Sequence, residues 1–224
     1  ALSMERLEDF WRVQAGRIAW NTGFRTVVRE DFSGGTVAWF PDGTLDAAWN
    51  VLDAVIERGG GKKCAILSFG PDGARREFKY RELADETARF ASALAASGFS
   101  PGDRFLLYLP DSPETVIALL ACARAGIIAA PVPVRYSAEL ASEIAADAGA
   151  AGLLVSLGAG SESYEARAQM LIGGFAGKTV IDAGPKPGGD VLPLERFLAR
   201  GGSPGGHAIV EAEHPLFILY ANSA

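Results

Sequence analysis

The sequence is poor in the residues from which metal and redox sites are built. Its 224 residues include two cysteines and two histidines, too few for a dedicated zinc site. Cys64 and Cys122 each sit in apolar surroundings. They read as buried small hydrophobes rather than as a disulfide or a catalytic thiol. Positive charge is also scarce, with 21 Lys and Arg against 27 Asp and Glu and a net charge of −6. That balance gives no footprint for nucleic acid or an anionic membrane surface. No apolar run reaches the roughly 20 residues needed to span a bilayer. Residues 118–134 come closest, but Arg124 and two prolines interrupt them. A basic segment leading into an apolar one is missing at the N-terminus, and no internal repeat or heptad is visible. The expected location is cytoplasmic.

What is present is an ordinary globular composition, 49% apolar and 21% charged, long enough to bury a sizeable core. The stretch 103–134 organises it. Phe105-Leu106-Leu107-Tyr108-Leu109 is a strand-length apolar run. Pro110 and Asp111 break it. Ser112 is a good N-cap, Pro113 fits the first helical position, and Glu114 suits the positive end of the helix dipole. The helix runs to about Arg124 and stops near Gly126, where a second apolar run begins. Strand, helix and strand over about thirty residues predict a βαβ unit with two parallel, buried strands. The fold class is α/β.

Three regions follow: an arm over 1–50, an α/β body over 51–206, and a terminal strand over 207–224. In the arm, residues 4–20 predict an amphipathic helix, followed by a turn-rich, aromatic stretch. Such an arm is not expected to make its own sheet, so its rings should dock on the body as anchors. Thr44 is the expected cap of a helix over 45–58 that ends at Gly59-Gly60-Gly61. Residues 64–69 and 76–80 flank Gly70-Pro71-Asp72-Gly73, the pattern of a hairpin. Helices are expected over 80–97, with Leu83, Thr87, Phe90, Ala91 and Leu94 on one face, and over 137–147, capped by Ser137. Strands are expected at 152–156, 178–181 and 215–220, with a further helix over 164–172. Residues 183–206 read as a Gly- and Pro-rich surface excursion with a helical piece at 194–199.

Several of these segments resemble a known family. The stretches 38–53 (AWFPDGTLDAAWNVLD), 78–83 (FKYREL), 102–132 and 214–220 (HPLFILY), with FWRVQA at 10–15, are similar to the N-terminal part of the AMP-forming acetyl-CoA and acyl-CoA synthetases. The resemblance implies the N-terminal subdomain of the adenylate-forming ligase fold, a largely parallel sheet flanked by helices behind an aromatic-rich arm. It implies a reaction in which a carboxylate and MgATP give an acyl-adenylate, which CoA then resolves with release of AMP. ATP, Mg and CoA would be used by a larger parent enzyme. None is expected to bind this chain tightly, because the adenine pocket, magnesium ligand and catalytic lysine lie further on in the family. The remainder of the ligase would lie in cis or on a second chain.

The resemblance also nominates residues. The loop Val134-Arg135-Tyr136 corresponds to one that lies near the CoA adenine, where Arg135 and Tyr136 could stack on a base or reach a phosphate. The alternative is a solvated Arg135 and a Tyr136 packed beside the next helix. Tyr220 and Ser223 correspond to the start of the ATP loop, which departs from the family by reading Tyr220-Ala221-Asn222-Ser223-Ala224. The stretch after Ser156, Leu157-Gly158-Ala159-Gly160-Ser161-Glu162, has no Lys or Arg before Arg167, although the family carries a basic segment there that meets the CoA phosphates. No catalytic residue and no metal ligand is nominated. Glu114 with Asp111 reads as helix capping, His207 and His214 as surface or strand-edge residues, and Gly158-Ala159-Gly160 as a weak dinucleotide-loop signal. The rival to a ligase piece is a stand-alone binding module or split subunit without catalysis.

Overall fold

A computed structural model describes residues 5–70, 73–185, 191–202 and 207–221. In chain order, the arm holds α1 (Leu7–Ala15), β1 (Val28–Asp31), β2 (Thr36–Trp39), β3 (Thr44–Leu45) and α2 (Ala47–Val51). The body continues with α3 (Asp53–Val55), a π-helical turn (Ile56–Gly60), β4 (Cys64–Phe69), β5 (Arg75–Lys79) and α4 (Tyr80–Ala96). Then come β6 (Arg104–Leu107), α5 (Pro113–Ala125), β7 (Ile128–Pro131), α6 (Ala138–Asp147), β8 (Gly152–Val155), α7 (Glu162–Gly173) and β9 (Thr179–Asp182). Short elements β10 (Leu192–Pro193), α8 (Leu194–Leu198) and β11 (Val210–Glu211) complete the series. Among the described residues no helix is long and apolar enough to cross a membrane.

The centre is a five-stranded sheet in the order β10-β9-β8-β6-β7, all parallel. Its strands are apolar on both faces because both are covered. Along β6 the side chains alternate. Phe105 and Leu107 enter the core under α4 and α5 with Phe90, Leu94, Ile117 and Phe197. Leu106 and Tyr108 enter a second core under α6 and α7 with Ile144, Leu153, Ala168 and Leu171. Burying one such ring or branched side chain stabilises the fold by about 1.5–3 kcal/mol. Gly126 stops α5 at φ 69°. A Cβ there would also press on Pro101 and Ala208, so the turn needs glycine twice over.

The βαβ unit, the hairpin and the helix over α4 stand where the sequence places them. The apex residues 71–72 of the hairpin lie outside the described residues. Other expectations need correction. Helix α1 is confined to Leu7–Ala15 and stops at Gly16. The arm does form strands of its own, an antiparallel β1–β2 ribbon. Its rings pack on one another rather than docking singly: Trp20, Phe24 and Phe40 form a triangle of centroids 4.6–5.4 Å apart, and Trp11 leans on Trp39. Thr44 is not a cap. It is held extended by pairing with β11, and Asp46 caps α2 by accepting the Trp49 N–H at 2.8 Å. Cys122 is buried, and burial pushes its thiol up to about 12, but Cys64 is exposed at the start of the hairpin. Within the expected surface excursion, Phe197 is fully buried against Phe90. Residues 215–220 are extended beside β7 but touch it by one parallel bridge, Ala129 with Phe217, made by two hydrogen bonds to Ala129.

Candidate functional site at the carboxyl edge of the sheet

Strand β6 passes through α5 to β7 on one side, whereas β8 passes through α7 to β9 on the other. The gap between the carboxyl ends of β6 and β8 is therefore the topological switch point, where open α/β sheets bind ligands. In this chain it is filled from within. The Tyr164 hydroxyl donates to the Tyr108 carbonyl at 2.9 Å and accepts the Ser156 N–H at 2.9 Å. Its ring lies 5.6 Å from that of Tyr108, and a Cβ on Gly160 would enter it. Burial, reinforced by Glu165, Tyr108 and Asp182 and opposed by the Ser156 N–H, pushes this phenol well above its ordinary range.

The glycine loop beside it is occupied as well. Glu165 Oε1 accepts the Gly158 N–H at 2.9 Å and the Gly160 N–H at 3.3 Å. A carboxylate of the chain itself thus sits where an anion would be drawn by loop amides at a helix start. Asp182 Oδ1 takes the Leu157 and Gly184 N–H groups at 2.9 and 2.8 Å, while its Oδ2 is buried without a hydrogen-bond partner among the described residues. Arg167, the first basic residue after Ser156, does not face solvent anions. Its Nη2 donates to the Val134 carbonyl at 2.8 Å and its Nε to the Tyr108 hydroxyl at 3.2 Å. The Gly158 and Gly160 amides that a dinucleotide phosphate would use are thus already taken by Glu165.

One strand further, at the end of β7, Val134, Arg135, Tyr136 and Tyr220 come together. The Tyr108 hydroxyl donates to the Tyr136 carbonyl at 3.0 Å. Tyr136 is 6% exposed, with the exposed Arg135 guanidinium 5.3 Å from its ring centre. Its hydroxyl reaches the Tyr220 carbonyl at 3.5 Å. The Tyr220 hydroxyl in turn donates to Asp147 Oδ2 at 2.6 Å, and partial burial together with that carboxylate pushes the phenol up to about 12. Ser223 lies outside the described residues.

Sequence reasoning missed Tyr108, Asp147, Tyr164, Glu165 and Arg167. Two of these left a signal. Arg167 follows Tyr164 at a spacing that shares a helix face, and Asp147 is a carboxylate at a helix C-terminus, where the dipole disfavours it unless a donor meets it. Glu114 does more than suit its helix. It pairs with Arg76 at 2.7 Å, and this holds its carboxyl below the usual range against the opposing effect of burial. The pair borders a cavity of about 240 Å³ floored by Phe78, Phe90 and Ile117. Among the described residues no group of three or more His, Cys, Asp or Glu side chains could hold a metal ion.

Comparisons with known proteins agree with this architecture. Residues 52–221 match the family described as AMP-binding enzyme, and residues 1–51 match the acetyl-coenzyme A synthetase N-terminus. The acetyl-coenzyme A synthetase of Cupriavidus metallidurans is 33% identical over 97% of this chain and 35% of its own length. That of Mycobacterium tuberculosis is 46% identical over 53% of this chain and 18% of its own. Among solved structures, acetoacetyl-CoA synthetase from Streptomyces lividans superimposes with a TM-score of 0.86 at 25% identity, over 98% of this chain and 35% of that one. The chain thus spans about a third of the length of the relatives it matches. It belongs to the AMP-binding enzyme family, with an acetyl-coenzyme A synthetase N-terminus at its start.

Proposed function

We propose that this chain is the N-terminal part of an AMP-forming acyl-CoA ligase of the acetyl-CoA synthetase type, acting in the cytoplasm. In this reading the parent activates a carboxylic acid with MgATP and passes the acyl group to CoA. The observation that carries it is the segment 215–221, laid parallel to β7 and anchored through Tyr220 to Asp147 and Tyr136, in a chain that matches synthetases over nearly its whole length. Tyr220 and Ser223 would open the ATP loop, and hydroxyls and backbone N–H groups are the donors such a loop presents to phosphates. Val134, Arg135 and Tyr136 would line the acceptor channel. With Tyr136 buried, Arg135 is the member free to meet an acceptor phosphate or base. Among the described residues no group of three or more carboxylate, imidazole or thiol side chains is gathered to hold magnesium.

One observation favours a narrower version. Glu165 holds the Gly158 and Gly160 amides and Arg167 is turned onto Val134, so these donors of the loop after β8 are not free for a phosphate. A thiol acceptor without the CoA nucleotide, or a binding module without catalysis, would need none. Carboxylate-dependent ATP–pyrophosphate exchange tests the first step. The full-length protein should show it and the 224-residue chain should not; exchange by the chain alone, or none by the full-length protein, would overturn the reading. Adding CoA, or pantetheine in its place, to the full-length enzyme then tells the two acceptors apart.

A further inference from the structure

Arg124, in the last turn of α5, is 4% exposed, and a charge so buried needs partners. Its Nη2 donates to Asp53 Oδ2 at 2.5 Å, and its Nη1 lies 2.7 Å from His207 Nε2. Its carbonyl accepts the Ala208 N–H at 2.8 Å. The other ring nitrogen, Nδ1, stands against Asp46 Oδ2 as an ion-pair contact, and both atoms are buried without a hydrogen-bond partner among the described residues. A guanidinium can only donate. Nε2 must therefore accept, which leaves the ring proton on Nδ1, on the side of the Asp46 carboxylate. Asp46 Oδ1 meanwhile caps α2.

The result is a continuous chain, Asp53–Arg124–His207–Asp46, that joins the start of α2 and α3, the end of α5 and the segment after residue 206. From His207 onward the backbone is pinned in succession. Strand β11 pairs with β3, Ala212 N–H donates to Gly43, and the His214 ring bonds the Gly126 carbonyl at 2.8 Å. The Ala129 N–H then donates to the Leu216 carbonyl, and the Ala129 carbonyl accepts the Ile218 N–H. We propose that His207, as its Nδ1–H tautomer, is a positioning residue that closes this clasp and so sets where residues 207–221 enter the edge beside β7. Its consequence for catalysis rests on the ligase reading above; the clasp itself does not.

The first test is a long-range proton–nitrogen spectrum of the 224-residue chain at about pH 8. His207 should show a protonated Nδ1 and a bare Nε2, and a protonated Nε2 would overturn the clasp whether or not any variant folds. The second is amide exchange. His207→Ala should speed exchange of the Ile218 amide at least about tenfold, the loss of a charge-assisted hydrogen bond, and leave β8 unchanged. His207→Gln, which can still accept from Arg124, should restore part of the protection. An unaltered Ile218 rate in His207→Ala would contradict the proposal. In the full-length protein His207→Ala should raise the KM for ATP in pyrophosphate exchange. If tautomer and protection come out as stated while the unaltered full-length protein shows no pyrophosphate exchange, the ligase reading fails and the clasp stands; a KM for ATP that His207→Ala leaves unchanged would overturn the clasp's catalytic consequence alone.

Discussion

Two neighbouring places on the carboxyl end of one sheet have opposite characters. The switch point between β6 and β8 is closed by Tyr164, Tyr108 and Arg167, whose polar atoms bond backbone groups of the same chain and one another. The edge beyond β7 is held by single polar tethers and leaves Phe217 and Leu219 53% and 67% exposed. In a doubly wound sheet the first is the usual ligand site. The contrast teaches that topology proposes a crevice and side chains decide whether it exists. Here three aromatic and cationic groups convert it into core, and the proposed reading puts ligand-directed chemistry at the strand edge.

Breaking the closed side should cost the most. Tyr164→Ala removes a buried ring together with two hydrogen bonds, and urea unfolding should show a loss of about 3–5 kcal/mol. Tyr164→Phe keeps the ring but strands the Ser156 N–H and the Tyr108 carbonyl, an effect of about 1–3 kcal/mol by the same measurement. Arg167→Met, at a half-buried position, should cost about 1–2 kcal/mol by releasing the Val134 carbonyl and the Tyr108 hydroxyl.

The open side should respond least in stability and most in titration. The folded Tyr220 phenol ionises near 12, above the ordinary value of about 10. A raised value means the folded state holds the proton more tightly, so this contribution is full below about pH 10 and is lost as pH rises towards 12. Asp147→Asn should bring the phenolate absorbance transition back towards the ordinary range and change stability by less than about 1 kcal/mol. A transition that does not move would mean the 2.6 Å contact does not set the phenol's acidity.

The parts of the fold that were legible in the sequence are those set by local pattern. The run Phe105–Leu109 gave away a strand buried on both faces, Ser112-Pro113 and Gly126 bracketed α5, and Ser137 capped α6 through the Leu140 N–H. Ser112 marks its helix start by position alone, without a side-chain bond to the backbone. What stayed hidden depends on distant partners. Thr44 and Asp46 are both plausible caps by type, and only the pairing of Thr44 with Glu211 in β11 leaves the role to Asp46. Phe197 sits among glycines and prolines, and its burial is decided by Phe90. His207 reads as a loop residue until α5 brings Arg124 to it. Of the candidate site, Val134, Arg135, Tyr136 and Tyr220 were nominated through a resemblance. The residues that hold them, Tyr108, Asp147 and Arg167, carry no motif.

The most direct measurement is amide exchange across the full-length protein with and without MgATP and a short carboxylate. Slower exchange over residues 216–221, with residues 157–165 unchanged, is the result that places function at the edge beside β7. Protection over 157–165 with 216–221 unaffected would put the ligand in the crevice and contradict the account.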